Sequence, residues 1–300
     1  MSPLPPDLER LILEMEAFDV VDSNPGALVP LFLVARRTHI WLEPILYRTL
    51  HFIDTRQRFR LLVAASLKSP AFLAQSVRSV LLGSGMMAAS HYCEILRYCT
   101  SLRSLTVQDW RRFATCMPLL MELRIERFSG YFTMLLSILA PDESDFDDEA
   151  VFTVLKPANH PLLCHLTHLF ICEQLSAPQH PDLFEALARL PALTHLALCL
   201  GYELSAPEAG VLRILDTCTH LRALVLGYEA WLGAMAISPG EFPESWRAPK
   251  YAAKILVYTV EEEWLDAFIK EASTFWDGVD AFLAGHRTEN SRLSRITAAK

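Results

Sequence analysis

The segment Leu166-Thr-His-Leu-Phe-Ile-Cys172 returns 27 residues later as Leu193-Thr-His-Leu-Ala-Leu-Cys199, and this near-copy constrains the fold more than any other feature of the chain. Alternating apolar residues over a run this short describe a strand buried on at least one side. A strand pattern that recurs at a period of about 20 to 50 residues belongs to a stacked array, because a unit so small cannot bury its apolar edge except on its neighbour.

The shared pattern is apolar-x-x-apolar-x-apolar. It is matched by Val77, Val80 and Leu82, by Leu102, Leu105 and Val107, by Leu120, Leu123 and Ile125, and by Leu221, Leu224 and Leu226. With the two best copies, the first anchors fall at 77, 102, 120, 166, 193 and 221, at intervals of 25, 18, 46, 27 and 28. Weaker matches at Tyr47, Leu50 and Phe52 and at Ala252, Ile255 and Val257 extend the series outward. Between strands there is room for helices. Ala88 to Cys99 carries Tyr92, Ile95, Leu96 and Cys99 at helical spacing, and Pro181 to Leu190 carries Leu183, Leu187 and Leu190. Strand then helix, repeated, implies parallel pairing with right-handed crossovers. The three anchors of one strand supply roughly 5 to 9 kcal/mol of gross apolar burial, whereas ordering a unit costs about 1.5 kcal/mol per residue. No unit is stable alone, and the expected fold is an α/β leucine-rich-repeat solenoid, with parallel strands on the concave face and helices outside, over residues 51–260.

The net charge of -8 is concentrated in one place: Asp142-Glu-Ser-Asp-Phe-Asp-Asp-Glu149 holds six carboxylates and no base. Such a run is expected to be a solvated insertion near 141–150, inside the long interval, with a docking site for a basic peptide as the alternative. The rest of the chain is near neutral, which gives nucleic acid no electrostatic footing. No stretch reaches the ~18 apolar residues of a spanning helix, so no membrane partner and a cytoplasmic or nuclear location are expected. The seven cysteines form no Cys-x-x-Cys pair; Cys99 and Cys218 stand three residues before a first anchor, where Leu190 sits in the sister unit, and are expected to be reduced core residues.

From Glu261 the residues Trp264, Leu265, Phe268, Ala272, Phe275, Trp276, Val279, Phe282 and Leu283 recur at three and four, predicting an amphipathic helix over 261–285 that caps the last strand near Ile255 to Tyr258. Thr259 with Glu262 resembles a capping box, and Gly285 is a plausible stop. Gly227 to Lys250 is an irregular connector, and 286–300 is a polar tail expected to fray.

The first fifty residues are of a different kind. Pro5 and Pro6 lead into Asp7-Leu-Glu-Arg-Leu-Ile-Leu13, and a dense apolar and basic block fills Leu28 to Leu50. Leu4-Pro5 with Leu8 following, Leu31-Phe-Leu-Val-Ala-Arg-Arg37 and Glu43-Pro-Ile-Leu-Tyr-Arg48 resemble the F-box module, and the whole chain resembles basidiomycete fungal proteins that join such a start to divergent leucine-rich repeats. The resemblance implies a bundle of short helices over residues 1–50 that docks on the Skp adaptor of cullin-RING ubiquitin ligases, with Leu4, Pro5, Leu8, Ile12, Val34, Arg37, Pro44 and Leu46 facing it. The repeats would then hold an unknown protein substrate. Two departures stand out: Thr38 takes the place where such modules commonly carry Trp, with Trp41 three residues on, and the loop from Asp19 to Pro30 is long. The alternative is a free-standing binding scaffold whose first helices only cap the solenoid.

Stacking the matched units places Glu122, His168 and His195 in one row of the concave sheet, Arg124, Phe170 and Ala197 in the next, and Glu126, Cys172 and Cys199 beyond. This mixed surface, above all Glu122, Arg124, Glu126, His168, Phe170 and His195, is the expected partner-binding face. His160, Cys164, His165 and His168 have superficially zinc-like spacing, but a turn and a strand do not aim four side chains at one point, so no metal or other cofactor is expected. Gly-x-Ser-x-Gly, Gly-x-x-x-x-Gly-Lys, Gly-x-Gly-x-x-Gly and His-Glu-x-x-His are all missing from the sequence, Gly83-Ser-Gly85 is a strand-to-helix corner, and no enzymatic role is expected.

Overall fold

The computed structural model describes residues 4–21, 24–52, 60, 63–83, 89–108, 114–139, 160–175, 181–200, 208–229, 245, 251, 254–260, 275–285 and 296–298. The acidic run, most of the 227–250 connector and residues 261–274 lie outside these. The chain forms two compact units, Met1–Leu105 with Thr115–Leu123, and Thr106–Ala114 with Arg124–Lys300.

The first unit begins with helices α1 (Pro6–Val21), α2 (Val29–Val34) and α3 (Arg36–Leu46). Strand β1 (Thr49–Phe52), helix α4 (Pro70–Ser76), strand β2 (Ser79–Leu82) and helix α5 (Ala89–Leu96) follow. Strand β3 (Ser104–Val107) carries the boundary between the units, and helix α6 (Met117–Met121) returns to the first. The second unit contains β4 (Arg127–Gly130), α7 (Phe132–Leu139), β5 (His168–Leu175), α8 (Pro181–Ala188), β6 (His195–Leu200), α9 (Glu208–Thr217), β7 (Ala223–Glu229), β8 (Ile255–Val260), α10 (Phe275–Leu283) and β9 (Ile296–Ala298). In the first unit β1 pairs with β2; in the second β4 to β8 pair in chain order. All these pairings are parallel. The expected α/β alternation with a parallel sheet is therefore present, and the two expected helices appear as α5 and α8.

A backbone device repeats with the sequence. After five of the first anchors, the carbonyl one residue on accepts two successive N–H groups from the next unit. Arg48 O takes Arg78 and Ser79, and Arg78 O takes Arg103 and Ser104. In the second unit Glu126 O takes Thr167 and His168, Thr167 O takes Thr194 and His195, and Thr194 O takes Arg222 and Ala223. Hydroxyls reinforce this ladder: Thr167 Oγ1 donates to Glu126 O and Thr194 Oγ1 to Thr167 O, each at 3.0 Å. The Thr of Leu-Thr-His-Leu thus stitches unit to unit while the Leu residues fill the core.

This ladder corrects one register. His168 pairs with His195 and Phe170 with Ala197, as expected, but the partner of His168 on the other side is Arg127, and that of Ile171 is Gly130. The first anchor of that unit is Ile125, followed by Phe128 and Gly130, and the intervals of 18 and 46 become 23 and 41. Leu120 is a buried residue of α6, whose spacing to Leu123 and Ile125 mimics the strand pattern. The true triplet is hidden because its third anchor is glycine. Gly130 has φ +151°, and a Cβ there would lie 2.3 Å from Val107 O, so no apolar side chain can occupy the position.

In the amino-terminal bundle, Ala17, Val21, Leu28, Leu42 and Ile45 form a core flanked by Leu13, Val20, Leu31, Phe32 and Leu46. Helix α1 starts at Pro6 with Asp7 and Glu9 in its first turn, which suits both the missing proline N–H and the helix dipole. The helix runs on to Val21 and a 3₁₀ turn occupies Pro25–Leu28, so the interval expected as one long loop is largely helical. Thr38 is fully buried, and its Oγ1 accepts the Ala35 N–H at 3.1 Å and lies within hydrogen-bonding distance of Leu31 O and Ala35 O. A hydroxyl at this site caps α3; an indole could not. Lys68 links bundle and repeats, pairing with Glu43 at 2.6 Å beside the rings of Tyr47 and Phe72.

Three further features go beyond the expectations. Cys93 on α5 is disulfide-bonded to Cys116, with Cα atoms 5.3 Å apart, whereas Cys99 and Cys218 are free and buried as expected. Residues 296–298 of the expected frayed tail form β9, which pairs antiparallel with β8. The carboxyl-terminal helix ends at Leu283, two residues before Gly285 with φ +78°, the expected stop, and it covers much more than the last strand. Its Phe275, Trp276 and Val279 pack on Phe170, Cys172, Ala197, Cys199, Ala223, Val225 and Leu256, spanning β5 to β8.

Candidate functional site

Two regions of the described chain carry more than core packing. The first is the outer side of the amino-terminal bundle. Leu8, Ile12 and Val34 are 49%, 56% and 69% exposed, and Leu4, Leu11, Met15, Val29, Leu33 and Ile40 are exposed with them. Helix α1 is apolar on two sides, one spent on the bundle core and one left to solvent. Of the residues expected to face an adaptor, Leu4, Pro5, Leu8, Ile12, Val34 and Arg37 lie at the surface, while Pro44 and Leu46 are half-buried and Leu46 packs on the bundle core. Arg37 holds Glu9 through Nη2 at 2.7 Å and lies 5.9 Å from the Trp41 ring, tying α3 to α1 beside the apolar residues. Leu11, Met15 and Leu33 were not foreseen, although the run 8, 11, 12, 15 is a helical stripe visible in the sequence.

The second region lies under α10. The rings of His168 and His195 stack with centroids 4.3 Å apart and planes 1° from parallel, and Trp276 stands edge-on to both, at 5.2 and 5.8 Å. Asp280, one turn beyond Trp276, places Oδ1 3.2 Å from His195 Nε2. The ladder fixes the tautomers. Each Thr hydroxyl has one proton and gives it to a carbonyl, so Thr167 Oγ1 and Thr194 Oγ1, 2.8 Å from His168 Nδ1 and His195 Nδ1, can only accept from them. Both rings are therefore Nδ1–H, with Nε2 lone pairs free. Both Nε2 atoms are buried, that of His168 without a hydrogen-bond partner and that of His195 with none beyond Asp280 Oδ1 at 3.2 Å.

Burial pushes the His168 pKa down to about 3, helped by His195, Arg127 and Arg222, and keeps it neutral. Burial also lowers the pKa of His195, against the opposing pull of Asp280. Arg127 is itself engaged by Asp277 at 3.2 Å.

The expected partner-binding face is divided by these facts. His195 and Phe170 are buried beneath α10 and His168 is half-buried, so at β5 and β6 the face is occupied by the chain itself. Glu122, Arg124 and Glu126 lie ahead of β4, not in the sheet row assigned to them, because Ile125 is the first anchor. Glu122 and Arg124 are exposed, and Arg124 pairs loosely with Glu126 at 3.6 Å. His160 and Cys164 do not join His168: His160 Nδ1 accepts the Leu162 N–H, and the Cys164 thiol turns to Pro161 O. The group brought to His168 and His195 is Asp280, which sequence reasoning missed. Its signal was a carboxylate four residues after Trp276, inside an apolar stripe.

Fold and sites together define a repetitive parallel α/β chain with a helical bundle at its amino terminus and a helix laid over the second unit's sheet. No protein-family model matches the chain, and no curated protein matches it. No described helix is long and apolar enough to cross a membrane.

Proposed function

We propose that this chain is a protein-recognition module, an F-box-like substrate receptor of a cullin-RING ubiquitin ligase with divergent leucine-rich repeats. Helices α1 to α3 dock the Skp adaptor and the repeats hold a protein target. The observation that supports this reading is surplus apolar surface: the bundle already has a core, yet Leu8, Ile12, Val34 and their exposed neighbours remain in solvent. Apolar surface left over after a core is complete marks a binding site in soluble proteins. A cap serving only the first repeat would turn these residues inward. Because α10 covers the sheet at β5 to β8, we assign the target-facing surface of the second unit to the segment ahead of β4, where Arg124 is exposed and Glu126 partly so.

The test is a pull-down on a fungal Skp adaptor with the intact chain, a chain lacking residues 1–50, and the double variant Leu8→Asp/Val34→Asp. Retention of the intact chain alone supports the reading. Loss of all three, or retention of all three, sinks it.

A further inference from the structure

We propose that His168, His195 and Asp280 form a binding site for a divalent transition-metal ion of the zinc class, which fastens α10 to strands β5 and β6. The donor atoms of the three side chains all lie within 4.8 Å of one another, and among the described residues they are the cluster with this property. What makes the cluster a site is its proton inventory. Three acceptors converge: two Nε2 lone pairs, from rings whose only N–H is committed to a Thr hydroxyl, and one carboxylate. No donor is aimed among them. The His195 side chain is 2% exposed and its Nε2 has no partner beyond the Asp280 carboxylate, while the buried Nε2 of His168 has none. Buried acceptors facing one another without a cation are unfavourable, and two neutral imidazoles with a carboxylate match the preferences of borderline metals.

The outer shell is also present. Metal-bound histidines characteristically donate their other N–H to an oriented acceptor, which fixes tautomer and ring direction. Thr167 and Thr194 supply that acceptor and are themselves held by the backbone ladder. The repeated Thr-His dipeptide thus provides a ligand and its support twice over, at neighbouring positions of adjacent strands. Asp280 is 42% exposed, which leaves the ion a path from solvent and room for a water ligand.

Two features oppose binding and set its consequences. Arg127 and Arg222 place positive charge near the rings, of which Arg127 is partly offset by Asp277. A four-coordinate ion bonded at about 2.0 to 2.1 Å needs donors roughly 3.4 Å apart, so loading draws the three side chains together and tilts the stacked rings.

The experiment titrates the full-length metal-free protein with Co2+, reading visible d–d absorption, then displaces it with Zn2+. The expected result is one Co2+ per chain, with absorption typical of four- or five-coordination. Asp280→Asn and His168→Gln each weaken binding at least about tenfold, and Thr194→Val, which removes no ligand, weakens it about 10- to 100-fold. Zn2+ is expected to raise the unfolding temperature of the parent and not of Asp280→Asn. Asp280→Asn keeps shape and partial exposure, so it remains informative if a histidine variant fails to fold. Absence of saturable one-to-one binding, which would leave His195 and Asp280 as a simple proton-bridged pair, overturns the proposal. So does binding undiminished in Asp280→Asn.

Discussion

The amino-terminal bundle and the carboxyl-terminal helix are both apolar helical additions to a strand-helix array, and they use their surfaces in opposite ways. Helix α10 spends its whole apolar face on the sheet, with Phe275, Trp276 and Val279 buried among Phe170, Ala197 and Val225. Helix α1 buries Ala17 and Val21 but leaves Leu8, Ile12 and Met15 in solvent. Hydropathy separates the two only in part: α10 is the more apolar and the more one-sided helix, yet both carry an apolar face. The difference lies in what each helix finds opposite it: α10 meets a broad sheet face of small and aromatic side chains, while α1 meets two short helices, α2 and α3, too small to cover it.

The largest expected effect tests the closed end. Trp276→Ala removes a buried indole that touches Phe170, Phe275, His168 and His195, and a loss of about 3 to 5 kcal/mol is expected by urea unfolding. A loss below 1 kcal/mol would mean that α10 is not bound to the sheet as described.

Next is the Cys93–Cys116 disulfide of the first unit, which closes a loop of 23 residues. Cys93→Ser is expected to cost about 3 kcal/mol relative to the oxidised protein. The same substitution measured under reducing conditions should be nearly neutral.

A comparable effect, dependent on pH, belongs to Glu173. A register shift in β5 between Ile171 and Gln174 re-aims this residue, so that its Oε1 accepts the Thr133 N–H at the start of α7 at 2.7 Å. Burial nevertheless raises its pKa from 4.5 to about 7, and its Oε2 is unpartnered. A carboxyl whose folded pKa lies above its unfolded value favours folding most below pH 4.5, and that advantage is lost as pH rises to 7. Glu173→Gln should therefore stabilise the protein at pH 8 by up to about 3 kcal/mol and have little effect at pH 4. Equal effects at both pH values would contradict the burial.

Gly130→Ala comes next. Its Cβ meets a backbone carbonyl and the φ is one that L-residues avoid, so a loss of about 1 to 3 kcal/mol is expected in thermal unfolding. Smallest is the change at the open end. Leu8→Ser should leave stability within about 0.5 kcal/mol, since an exposed side chain loses little on truncation. A loss like that at Trp276 would show that the two ends do not differ.

Much of the framework was legible in advance. Six of the eight triplets, including the weak one at Tyr47, were correctly placed by spacing, as were Ile255 and Val257 of the last, whose Ala252 lies outside the described residues, because a strand anchor must be apolar and the chain rise is fixed. The eighth was displaced by five residues, since Gly130 broke the pattern and Leu120 of α6 imitated it. The neighbouring His168 and His195 followed from the Thr-His repeat. The Cys93–Cys116 bond had no sequence signal, because it depends on how two separate helical segments face each other.

What the sequence determined by itself is the repeating local order. Apolar period, turn residues and Thr-His repetition act over a few residues and dictate strand, turn and helix wherever they stand. What the tertiary structure decided is which surfaces close and which chemical groups meet: α10 lying over β5 to β8, Asp280 arriving beside His195, α1 keeping an apolar face. These depend on shape matched between distant segments, and side-chain spacing along one segment carries no information about the surface it will meet.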